Sequence, residues 1–187
     1  DDYGVLAPTA KRLVTNGVSM SASNEIASRY MKLLAHIPIL LSGNPEEVLV
    51  ICFGTGQTAG AASIHPRVKS VDSVELSPSV VRAGAVFAQE NSSVLLNPKV
   101  HTIVQDGRNH LLTTARQYDV ITAEPPPPHT AATVNLYTRE YYAQARSRLK
   151  AGGIVAQWVP LHSQSEKEVA MHFRTFRSVF PHALAWL

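Results

Sequence analysis

The sequence predicts an α/β fold: an open, mostly parallel sheet with helices on both faces. Short apolar runs alternate with helical patterns from residue 48 to residue 187, as expected of repeated strand–helix units. The first run, Val48–Phe53, is apolar at every position, which is typical of a strand buried on both faces. A glycine-containing loop, Gly54–Gly60, follows it at the place where such sheets bind ligands.

The N-terminal residues predict a small β-hairpin flap ahead of the sheet. Asn16-Gly17 is a strong turn signal. The strands predicted around it are Val5–Leu6, Arg12–Val14 and Val18–Met20. From Asn24 the apolar residues recur at helical spacing, and Pro38 is expected to end that helix. We therefore predict a flap at residues 1–22 and a nucleoside-binding sheet domain at residues 23–187.

Strands and helices alternate along the rest of the chain. After the first strand, further strands are predicted at Val71–Leu76, Val100–Val104, Tyr118–Ala123, Ile154–Val159 and Ala183–Leu187. Helices are predicted from the glycine loop to about His65, from Ser77 to about Glu90, around His110–Ala115, at Arg139–Leu149 and from Ser165 to Pro181. Ser77 precedes a proline at the first helical position, and Ser165 forms a capping box with Glu168. Gly152-Gly153 is expected to stop the helix before it.

Composition limits the classes of function. The chain has 187 residues, 45% apolar and 17% charged, as expected of one globular domain. Its net charge of +3 comes from scattered basic residues, which permits an anionic ligand but does not indicate nucleic acid. With one cysteine, Cys52, inside a predicted buried strand, and no metal-binding spacing among eight histidines, we expect no disulfide framework and no metal site. The apolar runs are too short to span a membrane, so we expect a cytoplasmic protein without direct membrane contact.

The glycine loop is a candidate nucleoside site. Gly54 and Gly56, with Thr55 between them, allow a sharp turn and a close approach of a ligand. Ala59 stands where a dinucleotide motif has its third glycine, which favours a nucleoside carrying a sulfonium over a pyrophosphate. A tight turn required only for packing is the alternative.

Acidic residues follow the next three strands. Glu75, nineteen residues beyond the second glycine, is expected to accept hydrogen bonds from ribose hydroxyls, with Leu76 beside it. Asp106 is expected near an adenine amino group, where Gly107 lets the chain pass close; an N-cap role for Asp106 is equally consistent. Glu124 is placed to orient an amine and take its proton, or else is a turn residue.

Residues after Glu124 are candidates for the wall of an acceptor pocket. Four consecutive prolines, Pro125–Pro128, fix φ and lack N–H groups, so they form a rigid wall or merely stiffen the loop. Tyr137 is expected to face this pocket. Gln157, at the end of the fifth strand, either serves the substrate or satisfies a buried backbone group.

These motifs together resemble the spermidine synthase family of polyamine aminopropyltransferases, which share the Rossmann-like fold of S-adenosylmethionine-dependent methyltransferases. Tyr30–Pro38 resembles the family's Tyr-His-Glu-Met-Leu-Ala-His-x-Pro helix, and Val48–Gly56 its glycine-rich first motif. Val74–Leu76, Asp106-Gly107 and Tyr118–Ile121 match further family motifs in the right order.

The resemblance implies a set of ligands and partners. The co-substrate would be S-adenosylmethionine or its decarboxylated form, and the acceptor a small-molecule amine bound near Tyr30. No metal and no nucleic acid are implied. The family's dimers and tetramers imply a homodimer through the flap. A fold of this type usually adds a final antiparallel strand, so we expect this chain to be a fragment or a shortened member.

The sequence departs from the family mainly where the acceptor should bind. Glu124 stands where the family has a catalytic aspartate, and a second aspartate, which helps to hold the polyamine, is absent near Pro127. Met31-Lys32 replaces a histidine and a glutamate. In the first motif, Cys52-Phe53 replaces two glycines and Thr55 an acid. The sequence resembles divergent, synthase-like bacterial domains, which commonly carry Glu-Pro-Pro and Asn-Leu-Tyr after the fourth strand, as Glu124–Pro126 and Asn135–Tyr137 do here.

Three functions follow from these observations. The leading hypothesis is a spermidine synthase-like transferase that moves an aminopropyl group to an amine. The second is methyl transfer, because Glu124–Pro126 resembles the Asp/Asn-Pro-Pro-Tyr/Phe motif of amine methyltransferases, with Pro127 in the aromatic position. The third is a non-catalytic nucleoside-binding domain of a larger protein, which the missing polyamine-binding acids favour.

Overall fold

An antiparallel hairpin precedes a parallel sheet in the computed structural model, which describes residues 10–15, 17–131 and 133–186. The hairpin consists of β1 (Arg12–Thr15) and β2 (Val18–Ala22), as predicted, with a bulge between Leu13 and Val14. The predicted strand Val5–Leu6 and the turn residue Asn16 lie outside the described residues.

Five parallel strands form the central sheet of the described part of the chain. They are β3 (Glu47–Ile51), β4 (Ser70–Glu75), β5 (Val100–Val104), β6 (Tyr118–Ala123) and β7 (Leu149–Gln157). Their order across the sheet is β5-β4-β3-β6-β7. The chain first builds outward from β3 in one direction and then in the other, so the sheet has a topological switch point between β3 and β6.

In the described residues, six α-helices accompany the strands. They are α1 (Glu25–Leu41), α2 (Gln57–Ser63), α3 (Pro78–Ala83), α4 (Gly107–Thr113), α5 (Arg139–Ser147) and α6 (Glu166–Arg177). The predicted N-caps are confirmed: the Ser77 side chain accepts the Val80 N–H, and Ser165 and Glu168 form the capping box. No helix in the described part of the chain is long and apolar enough to cross a membrane.

Helices cover both faces of the sheet because side chains of β3 alternate between them. Val48 and Val50 lie in one buried cluster, with Ala35 of α1 and Ala59 and Ala62 of α2. The neighbouring positions of β3 face the opposite cluster. That cluster contains Leu49, Ile51, Leu111 of α4, and Tyr141, Tyr142 and Ala145 of α5, with Phe176 of α6 packed against it. The predicted fold class, with buried strands between two helical layers, is confirmed.

The first helix does not end at Pro38, as the sequence predicted. It continues through Pro38 to Leu41. A proline inside a helix removes one backbone donor, here the one that would bond the carbonyl of Leu34. The hydroxyl of Thr122, on β6, bonds that carbonyl instead. A contact between distant parts of the sequence therefore compensates for a local helix breaker.

The helix predicted from Ser77 to about Glu90 is shorter than expected. α3 ends at Ala83 and gives way to a 3₁₀ turn at Gly84–Phe87. A Cβ atom added to Gly84 would lie 2.6 Å from the Phe53 ring, so the backbone here packs directly on that side chain. The α-helix therefore changes to a narrower 3₁₀ turn where the backbone passes this ring.

Gly152-Gly153 does not stop the preceding helix but lies inside a strand. α5 ends earlier, at Ser147, and β7 runs from Leu149 to Gln157. The register with β6 shifts between Tyr118, opposite Leu149, and Val120, opposite Ile154. Gly152, with φ 76°, lies within the surplus residues of this bulge.

The predicted sixth strand, Ala183–Leu187, is wrong for its described residues. Residues 183–186 have no regular structure, and the sheet of the described chain ends with β7. Leu184 is 80% exposed and Trp186 is 64% exposed. Alternating apolar residues indicate a strand only if a neighbouring strand edge pairs with them, and none does here.

Candidate active site

The residues singled out from the sequence converge at one edge of the sheet. Glu75 and Gln157 end β4 and β7, Glu124 follows β6 directly, and Gly54 and Asp106 lie within three residues of the ends of β3 and β5. The carboxyl ends of parallel strands meet at the same edge, beside the switch point. The sheet therefore brings the nucleoside candidates and the acceptor candidates together.

The glycine loop begins earlier than predicted. β3 ends at Ile51, because Cys52 adopts a left-handed backbone with φ 72°. Gly54 and Gly56 have φ of 55° and 81°. A Cβ at Gly56 would lie 2.7 Å from the Phe53 ring, whereas one at Gly54 would meet nothing closer than 3.8 Å. Packing alone thus requires the second glycine, whereas a Cβ at the first would make only an ordinary van der Waals contact with Ser21.

The Thr55 side chain turns away from solvent. It is completely buried, lies 3.3 Å from the Ser21 hydroxyl of the hairpin, and accepts a 3.1 Å hydrogen bond from the Gln57 amide. Thr55 therefore joins the hairpin to the loop through its side chain.

The Glu75 carboxylate links the loops that follow β3 and β4. One oxygen accepts a 3.0 Å hydrogen bond from the Phe53 N–H, and the other accepts a 2.9 Å bond from the Ser77 N–H. Each carboxylate oxygen keeps a second lone pair for a further donor such as a ribose hydroxyl. Leu76 beside it is 66% exposed, an apolar surface next to the candidate ribose acceptor.

Asp106 caps α4, the alternative that the sequence left open. Its carboxylate accepts a 2.8 Å hydrogen bond from the Asn109 N–H while remaining exposed. A Cβ on Gly107 would lie 2.4 Å from the Ile51 side chain, so the absence of a side chain lets α4 pack on β3. Adenine contacts by these two residues stay a prediction.

Glu124 pairs with Tyr30 across the end of β6. The Tyr30 hydroxyl donates a 2.7 Å hydrogen bond to Glu124 Oε1. Burial raises the pKa of Glu124 to about 7, although this hydrogen bond favours the charged form. Burial and the nearby carboxylate raise the pKa of Tyr30, which therefore stays protonated as the donor. A carboxylate with a pKa near neutrality is suited to accept and release a proton.

An aromatic wall stands beside this pair. The Tyr30 ring stacks on the Trp158 ring with centroids 5.9 Å apart and an interplanar angle of 20°. Trp158 follows β7 directly, and its backbone N–H bonds the Ala123 carbonyl of β6. The sequence analysis missed Trp158, although its place just after Gln157 at a strand end was the available signal.

Tyr137 anchors the proline loop. Its hydroxyl lies 3.1 Å from the carbonyl oxygens of both Pro125 and Pro126 and donates to them. The residue is only 3% exposed, and its ring lies 5.0 Å from the ring of His172. The structure therefore shows Tyr137 holding the chain that follows Glu124. Direct contact with a substrate stays a prediction.

Gln157 satisfies a backbone group, one of the two roles left open by the sequence. Its amide donates to the Leu136 carbonyl at 3.0 Å and to the Tyr142 hydroxyl at 3.1 Å. Its Oε1 atom is buried and has no hydrogen-bond partner. A buried acceptor without a donor costs free energy, so a substrate donor here would be favourable.

Cys52 lies at the junction of the two halves of the site. Its thiol is close enough to Glu75, Glu124 and Asp106 for their charges, after burial itself, to raise its pKa. The thiol therefore stays protonated, which disfavours a role for Cys52 as a nucleophile. The described residues include no group of three or more His, Cys, Asp or Glu side chains that could hold a metal ion.

Comparison with known proteins identifies the family. The family model for the spermine/spermidine synthase domain matches residues 27–184. A polyamine aminopropyltransferase from Methanocaldococcus jannaschii is 35% identical over 128 residues, covering 68% of this chain and 43% of that protein. One from Bacillus cereus is 28% identical over 169 residues, covering 90% of this chain and 61% of that protein. The chain thus spans about half the length of these relatives.

Solved structures share the fold. A spermidine synthase in complex with the transition-state analogue AdoDATO superposes with a TM-score of 0.82 at 24% identity, over 90% of this chain and 57% of that one. A putative S-adenosylmethionine-dependent methyltransferase from Streptococcus mutans has a TM-score of 0.67 at 17% identity, over 95% of this chain and 48% of that one. With the family match over most of its length, the chain belongs to the spermine/spermidine synthase family.

Proposed function

We propose that this domain transfers the aminopropyl group of decarboxylated S-adenosylmethionine to the nitrogen of an amine. The observation that carries the proposal is the Glu124–Tyr30 pair, 2.7 Å apart, at the sheet edge where Glu75 also lies. Family membership supports the reaction class. The relatives named polyamine aminopropyltransferase support the same donor and the same type of acceptor.

The donor would occupy the edge formed by β3, β4 and β5. Gly54 would let the nucleoside approach the loop backbone, Glu75 would accept the ribose hydroxyls, and Asp106 would face the adenine amine. The exposed Leu76 side chain would pack against the adenine ring. Glu75 is already fixed by two backbone donors, so its oxygens need little reorganisation on binding.

Glu124 would act as the base. An amine enters as its ammonium ion, passes one proton to the Glu124 carboxylate, and becomes a neutral nucleophile. Its lone pair attacks the carbon next to the sulfonium; the carbon–sulfur bond breaks and its electron pair stays on sulfur, giving a neutral thioether and a secondary ammonium. Because sulfonium is a good leaving group, the site contributes mainly by aligning the reactants and removing the proton.

Product analysis by mass spectrometry tests this proposal. The protein is incubated with an amine and either decarboxylated S-adenosylmethionine or S-adenosylmethionine. We expect methylthioadenosine and an aminopropylated amine with the first donor only. A methylated amine with the second donor would instead establish methyl transfer. Tight binding of methylthioadenosine in calorimetry without product from any amine would establish a binding domain.

Variants separate the two halves of the site. Glu124→Gln keeps the shape and the acceptor for Tyr30, so it is expected to bind methylthioadenosine normally and lose turnover by about 100-fold or more. Glu75→Ala is expected to lose nucleoside binding. Unchanged turnover in Glu124→Gln would remove the proposed base.

A further inference from the structure

The hydroxyl of Thr58 lies against the proposed base. Thr58 is the second residue of α2, and its side chain is only 3% exposed. The Glu124 N–H bonds the Ile51 carbonyl at 3.2 Å, so the end of β6 lies beside the chain that leads into this helix. Burial raises the pKa of Glu124, and the Thr58 hydroxyl, which hydrogen-bonds the Glu124 side chain, acts in the opposite direction because it favours the carboxylate.

The same hydroxyl also contacts a backbone acceptor on the first helix. Thr58 Oγ1 donates a 3.0 Å hydrogen bond to the Met31 carbonyl oxygen. A hydroxyl carries one proton and two lone pairs, so Thr58 has one proton to share between Met31 and Glu124. Met31 lies inside α1, where its carbonyl also accepts the helical N–H of Ala35, four residues further on. The Thr58 proton can therefore turn to Glu124 without leaving the Met31 carbonyl unsatisfied.

Tyr30 and Thr58 differ in what they offer to Glu124. The Tyr30 hydroxyl donates to Glu124 Oε1 at 2.7 Å, which favours the ionised form. A protonated carboxyl group has one carbonyl oxygen, which still accepts from Tyr30, and one O–H, which needs an acceptor of its own. A buried O–H without an acceptor costs free energy. Thr58 Oγ1 supplies that acceptor when its own proton is on the Met31 carbonyl.

The other ionisable side chains around Glu124 do not compete with it for a proton near pH 7. Burial, with a contribution from the charge of Glu124, raises the pKa of both Cys52 and Tyr137, so both stay protonated. The carboxylates of Glu75 and Asp106 also act on Cys52, but each accepts backbone N–H groups. The pKa of about 7 therefore makes Glu124 the partner of Thr58 whose charge changes during turnover.

We propose that Thr58 is a positioning residue that holds Glu124 in both of its protonation states. With Glu124 ionised, the Thr58 hydroxyl donates to the carboxylate. When the acceptor ammonium passes a proton to Glu124, the new O–H turns to Thr58 Oγ1, and the Thr58 proton turns to the Met31 carbonyl. One proton leaves nitrogen and one is gained by Glu124, while Thr58 keeps its own. The inference rests on the proposed aminopropyl transfer and adds a residue on which its base depends.

Two variants separate the Thr58 hydroxyl from the shape of the side chain. Thr58→Val keeps the branched shape and removes the hydroxyl, whereas Thr58→Ser keeps the hydroxyl. The measurement is kcat/KM across a pH series, from methylthioadenosine release with decarboxylated S-adenosylmethionine and diaminobutane. In Thr58→Val we expect the ascending limb at higher pH, because a donor to the carboxylate is lost. We also expect the plateau to fall by about tenfold, because the protonated carboxyl group loses its acceptor.

The plateau distinguishes the proposal from a simple donor role. Loss of a donor alone makes Glu124 more basic, which does not lower the plateau, so a wild-type plateau in Thr58→Val would overturn the proposal. Thr58→Ser is expected to restore the position of the limb and most of the plateau. The calorimetric affinity for methylthioadenosine should stay within about twofold of wild type in Thr58→Val. A parallel loss of that affinity would overturn the proposal, since Thr58 would then support the whole loop.

A double-mutant cycle gives a readout that needs no activity. Thr58→Val, Glu124→Leu and the double variant are compared with the wild-type protein by denaturant unfolding at about pH 5 and about pH 9. We expect a favourable coupling at both values, because Thr58 accepts from the acid at the lower pH and donates to the carboxylate at the higher one. Coupling only at the higher pH, or at neither, would overturn the proposal. Coupling at both without aminopropylated product from any amine would contradict the proposed function and leave the pairing in place.

Discussion

The Thr122 hydroxyl donates a 2.9 Å hydrogen bond to the Leu34 carbonyl, the group that Pro38 leaves without its helical donor. The bond ties the last turns of α1 to β6, two elements that also supply Tyr30 and lead into Glu124. The position of the proposed base relative to its phenol partner therefore depends on this attachment of helix to sheet.

Thr122→Val keeps the shape of the side chain and removes the donor. We expect a loss of about 1–2 kcal/mol in the free energy of unfolding, because the Leu34 carbonyl is then left unsatisfied. Denaturant unfolding measures it. Combining the change with Pro38→Ala restores the backbone donor, so Thr122→Val should cost less in that background. Equal costs in both backgrounds would contradict the compensation.

Phe53 and Gly84 fit together as a pair. The Phe53 ring is 3% exposed and occupies the space next to the Gly84 backbone, where a Cβ would approach to 2.6 Å. Gly84→Ala is therefore expected to destabilise the protein by about 1–3 kcal/mol through overpacking. Gly43→Ala is the control, since a Cβ there meets nothing within 4 Å. Thermal unfolding of the two variants compares them, and equal melting temperatures would refute the steric pairing.

The strands of the sheet could be predicted from sequence because each contains a short run rich in β-branched or aromatic residues, continuous in β3 and interrupted by polar residues in β4, β5 and β6. β5 and β6 match their predictions residue for residue. Two predicted helix ends were wrong because residues distant in sequence change the local outcome. Thr122 compensates for Pro38, so α1 continues through it, and Gly152-Gly153 lies in a bulge of β7 against β6. Neither partner is visible in a short window of sequence.

The candidate site could be predicted in outline for the same reason. Strand ends are local features, so Glu75, Asp106 and Glu124 were found. Side-chain directions are not local: Thr55 turns into the hairpin, and Tyr137 turns to the proline carbonyls. Cys52 was assigned to the buried strand, but its positive φ places it just beyond the strand, at the centre of the site.

The raised pKa of Glu124 predicts a pH profile for turnover. Glu124 must be ionised to take a proton, so kcat/KM should rise with pH and level off above about 7, its pKa. Tyr30→Phe removes a hydrogen bond that favours the carboxylate, so the pKa of Glu124 rises further and the ascending limb moves to higher pH. Initial rates across a pH series measure this. If the ascending limb of the kcat/KM profile lies at the same pH in Tyr30→Phe as in the wild-type protein, the effect of Tyr30 on the pKa of Glu124 is contradicted.

The raised pKa of Glu124 also predicts how the free energy of unfolding depends on pH, which can be measured without an activity assay. The folded-state pKa of Glu124, about 7, lies above its ordinary value of 4.5. Its contribution to stability is therefore fully present below pH 4.5 and is lost as pH rises through 7, because the buried carboxyl must then ionise. Glu124→Gln cannot ionise, so relative to wild type it should gain stability between pH 5 and pH 8, by up to about 3 kcal/mol. Denaturant unfolding at both pH values measures this, and a difference that does not change with pH would contradict the shift.

Tyr137→Phe tests whether the proline loop positions the base. The change removes the hydroxyl that holds the Pro125 and Pro126 carbonyls but keeps the ring that packs on His172. The loop begins directly after Glu124, so its release allows the carboxylate to move from the place where it meets the amine. A small displacement of a base that acts at hydrogen-bond distance reduces turnover by about tenfold or more.

Nucleoside binding is the internal control for Tyr137→Phe. The glycine loop follows β3 and Glu75 ends β4, on the other side of the switch point, whereas the Tyr137 hydroxyl bonds the carbonyls of Pro125 and Pro126. We therefore expect kcat to fall while the calorimetric affinity for methylthioadenosine stays within about twofold of the wild-type value. A parallel loss of both would mean that Tyr137 supports the whole domain rather than the acceptor side. Unchanged kcat would mean that the four prolines hold Glu124 in place without the tyrosine, through their fixed φ angles alone.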